Sequence, residues 1–262
     1  MIVESRAGAA TNIGSESVAR ATPDGYTLLM ASSVNAVNMT LFPQLGYDTV
    51  RDFAPIALVG YTPMVLLASP TIPSRDLSEL LAMARKKPGE LTIALGGLAS
   101  PSHLATVAFE RAAKVKFRHV PYKGAAPAVA DVLGGHIELL ITNVVSAAPH
   151  VKAGKLKAFA LSGRQRNSAL PDVPTFVEAG YVGFDPSGWY GLVAPRRTPP
   201  EVLAKLAAAM SKVMGSRSVV EKLRQYGIDV APPGNPSEFA ALIAEEIDRQ
   251  RKNVTENGIK IE

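Results

Sequence analysis

An α/β fold is what this chain of 262 residues predicts, and three observations carry the prediction. Through the middle of the sequence, short apolar runs of strand length alternate with amphipathic stretches of helical period. The junctions recur. Leu91–Leu95 runs through Gly96-Gly97 into Ser100-Pro101-Ser102-His103, and the same order of strand, small-residue turn and helix returns at Phe117–Gly135 and Ile137–Gly154. An earlier copy reads Tyr26–Phe42, with Ser32 and Ser33 at its turn. Finally, 47% of the residues are hydrophobic but only 6% aromatic, which suits a large aliphatic core.

Taken in order, a strand is expected over 2–4, a helix over 15–21 and a strand over 26–31. Strands over 56–59 and 64–68 come next, then a helix over 77–87. The strand over 91–95 leads to a helix over 102–113, for which Ser100 is a good N-cap and Pro101 fits the first helical position. Strands over 116–119 and 137–141 alternate with helices over 125–133 and 144–153. Strands over 156–161 and 189–194 follow, and the chain ends in helices over 201–214, 219–226 and 236–257. Pro63–Pro70 and Gly188–Pro195 are extended, apolar and closed by proline. They suit two strands that connect a first domain, residues 1–68 plus 188–262, to an inserted second domain, residues 69–187. Two such connections make a hinge.

Composition excludes several functions. The 28 Lys and Arg against 23 Asp and Glu leave a formal charge of +5, but the basic residues are scattered and form no stripe interleaved with aromatics, so no nucleic-acid partner is expected. The apolar region 54–69 is interrupted by Pro55, Tyr61 and Pro63, which argues against a membrane span. With no cysteine there is no disulfide, thiol catalysis or thiolate metal site. The four histidines lack metal-ligand spacing, and the motifs of serine hydrolases, P-loop proteins and dinucleotide-binding enzymes are missing. No metal, cofactor or catalytic residue is therefore assigned.

The recurrent junctions point instead to binding. The first N–H groups of a helix have no partners within it, and the helix dipole places partial positive charge there. If several parallel strands end side by side, their helix starts line one crevice suited to a carboxylate or phosphate. Each residue also has a plainer role. Ser102 and His103 serve equally to cap a helix, Asn143 to end a strand, Ser32 and Ser33 to shape a turn, and Lys123 as a solvated lysine. Trp189 and Tyr190 fit packing better than ligand contact.

Beyond these patterns, the chain resembles one family throughout. PDGYTLL, VPYKG, HVKAGKL, LPDVPT and GWYGL occur in the order found in the Bug receptors, the substrate-binding proteins of tripartite tricarboxylate transporters. The resemblance implies a two-domain periplasmic binding protein of type II fold with two crossing hinge strands. It implies a monomer that closes on a small carboxylate and delivers it to a membrane permease, without enzymatic activity. Ligand-holding positions carried over from the family are Ala99, Ser100, Ser102, His103, Thr142 and Asn143 in the second domain, with Ser32 and Ser33 in the first. Many members carry Asp-Asn where this chain has Thr142-Asn143. Lacking that aspartate, it is expected to take a di- or tricarboxylate or an aromatic acid rather than an amino acid. A carboxylate-processing enzyme and a nonfunctional remnant of the receptor stand as alternatives.

Members usually begin with a signal peptide and a strand–helix unit of roughly 40 residues before V-E-N-R-P-G-A-G-G-N-I-G. Here Met1 stands almost at that motif, so the first domain is expected to lack that unit and to be poorly stable. Read literally, a chain starting at Met1 stays in the cytoplasm, whereas the family implies the periplasm. Ser5, Ala7, Ala10 and Thr11 replace the motif's usual asparagine, proline and two glycines, changes expected to reduce loop freedom.

Overall fold

The structure, a computed structural model, describes residues 2–6, 8–42, 44–98, 100–234 and 236–256. A 3-10 turn (Ala9–Thr11) leads into α1 (Asn12–Ala19), β1 (Leu29–Ser32), α2 (Ser33–Leu41), β2 (Phe53–Thr62), β3 (Met64–Ala68), α3 (Leu77–Lys86), β4 (Thr92–Leu95), α4 (Pro101–Ala113), β5 (Arg118–Pro121) and α5 (Ala125–Leu133). The remainder runs β6 (Leu139–Asn143), α6 (Val144–Lys152), β7 (Lys157–Leu161), β8 (Gly188–Pro195), α7 (Pro200–Met214), α8 (Arg217–Gln225), β9 (Asp229–Val230) and α9 (Pro236–Glu256). The chain forms two compact units, one of Met1–Tyr61, Trp189–Lys222 and Val230–Glu262, the other of Thr62–Gly188 and Leu223–Asp229.

The second unit holds a five-stranded sheet in the order β5-β4-β6-β3-β7. β4 runs parallel to β5 and β6, while β3 runs antiparallel to β6 and β7. All five residues of β3 are buried, because helices cover both faces of the sheet. Leu66, Ile93 and Leu139 face α3 and α4, whereas Val65, Leu67 and Leu140 face α5 and α6. This burial fits Met64–Ala68, placed with the first domain on sequence grounds, to an interior position of the second unit's sheet, between β6 and β7.

The first unit's sheet has the order β1-β8-β2-β9. β1 and β8 are antiparallel, with Ser32 opposite Tyr190 and Leu29 opposite Val193. The core here joins Val18, Ala36, Phe53, Trp189, Phe239 and Ile243. Trp189 is 1% exposed and meets Phe239 edge-on at 5.3 Å, so it packs the core. Gly191 allows that arrangement, since a Cβ there would lie 2.2 Å from the Phe239 ring.

Two local expectations change, and the altered motif takes a definite conformation. Residues 2–4 form no strand: Ile2 and Val3 are 94% and 88% exposed, with no sheet neighbour to reward extension. The Tyr26–Phe42 copy is a strand, turn and helix, but its strand lies in the first unit's sheet, antiparallel to β8, and not beside the other copies. Ala10 and Thr11 hold left-handed φ angles of 52° and 74° where the family motif usually has glycines. Without glycine this conformation costs roughly 1–2 kcal/mol per residue. Ala7, another altered position of the motif, lies outside the described residues.

Candidate functional site

β4, β5 and β6 lie side by side, point the same way, and each is followed by a helix, after a turn for β4 and β5 and at once for β6. Their carboxyl ends therefore bring the starts of α4, α5 and α6 to one edge of the second unit's sheet. Ser100 caps α4: its Oγ accepts from the His103 amide at 3.3 Å and donates to the Gly97 carbonyl at 2.8 Å. Asn143 caps α6 through Oδ1, which accepts from the Ser146 amide at 2.9 Å. Gly124 precedes α5 with φ of 111°, and its amide donates to the Gly96 carbonyl at 3.0 Å. The β4–α4 turn packs against the start of α5, with the Ala125 nitrogen 3.6 Å from where a Cβ on Gly96 would lie, an ordinary contact.

One bond ties two of these starts together. The buried Ser102 hydroxyl, in the first turn of α4, donates to the Ile141 carbonyl of β6 at 2.7 Å. Beside it, Thr142 is buried at the end of β6, opposite Val65. Ser100, Ser102, His103, Thr142 and Asn143 are thus brought together. Ala99 lies outside the described residues, and Ser32 and Ser33 belong to the first unit.

Their side-chain oxygens are largely committed to shaping the edge. The amides of Ser102, Ala125, Ala126 and Val145 have no acceptor among the described residues. These first-turn donors, aligned with three helix dipoles, suit a small anion. No acidic side chain occurs in residues 95–103, 121–126 or 142–146, and Lys123, exposed in the β5–α5 turn, adds a positive charge. Among the described residues, no group of three or more His, Asp or Glu side chains is placed to hold a metal ion.

The family of the "Tripartite tricarboxylate transporter family receptor" has a sequence model that matches residues 1–259. The chain belongs to this family. BugT of Bordetella pertussis is 36% identical over 265 residues, a match spanning 100% of this chain and 80% of BugT. The structure of Rpa4515 from R. palustris with adipate has a TM-score of 0.90 at 31% identity, covering 99% of this chain and 87% of that one. MatC from Rhodopseudomonas palustris with bound malate has a TM-score of 0.81 at 35% identity, covering 94% of this chain and 85% of that one. The family is periplasmic, and its members are transport receptors rather than enzymes. Among the described residues no helix is long and apolar enough to cross a membrane.

As a receptor of this family, the protein contains polar groups that reading the sequence passed over. Behind Ser32 and Ser33, the Asn35 Nδ2 donates to Ser15 Oγ at 2.7 Å, and Asn35 Oδ1 accepts from the Ser32 amide at 2.9 Å. Asn38 Nδ2 donates to Asn12 Oδ1 at 2.6 Å, and the Tyr47 hydroxyl donates to the same oxygen at 2.8 Å. The signal was present as Asn35 and Asn38, three apart and hence on one face of α2. In the second unit, Ser162 Oγ accepts from the Met64 amide at 2.7 Å and pairs with Ser187 Oγ at 2.8 Å.

His103 sits beside a second imidazole. Its ring lies edge-on to His119 at 5.6 Å, and His119 Nε2 is 3.0 Å from Glu110 Oε2. Burial, then the neighbouring His119, holds the His103 pKa below the ordinary 6.5, while Glu110 opposes the shift. The fold therefore favours neutral His103. The stability this contributes is complete above the unfolded pKa and is lost as pH falls below it, because the unfolded chain then binds more protons. Urea unfolding at about pH 7.5 and about pH 5 is expected to show a larger acid loss for wild type than for His103→Gln. Equal losses would remove this assignment.

Proposed function

We propose that this receptor binds a small dicarboxylate at the converging starts of α4, α5 and α6, and delivers it to a tripartite tricarboxylate-type permease. The observation that carries the reading is the set of first-turn amides without an acceptor among the described residues, at an edge where no acidic side chain occurs in residues 95–103, 121–126 or 142–146. Each amide bonded to a carboxylate forms a charge-assisted hydrogen bond, stronger than a neutral one. Adipate and malate in the two related structures are both dicarboxylates, which supports that class over an aromatic acid. Thr142 argues against an amino acid, since its hydroxyl supplies no negative charge to pair with an ammonium group.

Further parts of the proposal rest on the family. Ser32 and Ser33 would contribute from the first domain, and ligand would be enclosed by rotation of one domain on the other about two connecting strands. The receptor would act as a monomer in the periplasm. Calorimetry with malate, adipate, citrate, benzoate and glutamate tests the ligand class. Malate or adipate, neither of which carries an ammonium group, is expected to bind about tenfold or more tighter than glutamate, the discrimination one charge-assisted contact supplies. Preference for glutamate, or binding of none of the five, overturns the reading.

A further inference from the structure

The first unit contains a second, differently built place for an anion. A cavity of about 530 Å³ is walled on one side by Arg20 and Thr22, just past α1, and on the other by Asp52, Pro195, Arg196 and Arg197. The β1–β8 register places it away from the Ser32 turn. Ser32 lies opposite Tyr190, whereas Arg196 is six residues further along the chain past β8, roughly 20 Å at the rise of a strand.

Charge in this cavity is unbalanced. Arg20 is paired with Glu16, and the Asp52 carboxylate is engaged by Arg51 Nε at 2.9 Å and by the Asp48 amide at 2.8 Å. Those groups neutralise one another or lie within closed hydrogen-bond sets. The guanidinium groups of Arg196 and Arg197 have no carboxylate partner among the described residues. Their backbone is held in place: the Arg196 amide donates to the Asp52 carbonyl at 2.9 Å, the Thr198 amide closes a turn onto the Pro195 carbonyl at 3.0 Å, and Pro199 and Pro200 follow. The backbone of this segment therefore loses little further freedom on binding, and the ordering falls on the two exposed arginine side chains.

We infer that this cavity is a second binding site, for a small oxyanion carrying two negative charges, held by Arg196 and Arg197. Guanidinium donors match phosphate and carboxylate oxygens in forked geometry. The volume falls within the range of small-molecule sites, and walls on two sides favour a compact solute over an extended acidic chain. The site does not depend on the helix-start reading, because none of its residues is shared with that edge.

Inorganic phosphate is the probe. In ¹⁵N NMR titration of the full chain, saturable shifts are expected at residues 19–22 and 196–198. Arg196→Gln with Arg197→Gln should weaken phosphate binding by at least about tenfold, given two lost charged hydrogen-bond donors. Both side chains are exposed, so the fold should persist, and an unchanged thermal midpoint will confirm it. The Ser100→Asp variant should retain phosphate binding at this cavity, which separates the present inference from the dicarboxylate site. Absence of saturable shifts there overturns it, as does equal affinity in the double variant. Saturation by an acidic peptide but not by phosphate rejects the small oxyanion in favour of a protein partner.

Discussion

Replacing Ser100 with Asp is expected to lower dicarboxylate affinity by about 30-fold while the protein stays folded. Two like charges about 4 Å apart at the edge of a protein repel by roughly 4 kcal/mol, and solvent screening of a partly exposed group leaves about half of that. Aspartate is as good an N-cap as serine and is favoured by the α4 dipole, so its carboxylate can still accept from the His103 amide. What is lost on the protein's side is only the donated bond to the Gly97 carbonyl. Ser100→Asn supplies the matched control: similar in shape to aspartate, uncharged, and expected to stay within a few-fold of wild type. Calorimetry with malate or adipate on all three proteins, beside their thermal midpoints, reads both effects. Wild-type affinity in a folded Ser100→Asp protein would place the ligand elsewhere.

The largest stability effect is expected for Phe109→Ala, at about 3–5 kcal/mol. Phe109 is fully buried on α4 and touches three other aromatic rings, Phe176 at 5.2 Å, Phe184 at 5.4 Å and Tyr181 at 5.7 Å. Phe176 and Phe184 also meet edge to face at 4.8 Å, so the surrounding rings brace one another and cannot easily collapse into the vacated space. Such a loss is a large part of the roughly 5–15 kcal/mol by which domains are stable. Urea unfolding is the measurement, and a cost below about 1 kcal/mol would show that the cluster relaxes freely. Phe109→Leu, which keeps most of the volume, should cost markedly less.

Why were some features legible beforehand and others not? The α4 start was readable because its information is local: Gly-Gly, then Ser-x-x with proline at the first helical position, specifies a turn and a cap within a few residues. The same holds for Asn143, whose side chain reaches only three residues ahead. The hydroxyl of Ser102 was not readable, since its acceptor, Ile141, lies 39 residues away and is set by which strands neighbour each other. Met64–Ala68 was recognisable as a strand, but its membership of a sheet depends on pairing with β6 and β7, which an all-apolar run cannot encode. Residues 2–4 show the converse: apolar, β-branched residues satisfy a local preference for extension, and no neighbouring strand turns it into structure. The polar network of Asn12, Ser15, Asn35, Asn38 and Tyr47 draws on three segments, and only its two asparagines on α2 were visible as a pattern.

Because Ser102 fastens the first turn of α4 to β6, those two pieces of backbone behave as a single plate. Mutational drift can then act on the exposed rim side chains Leu98, Lys123 and Val145 without disturbing the plate beneath them. Under the proposed function, preference for one acid over another is free to diverge at that rim while the backbone beneath it is kept.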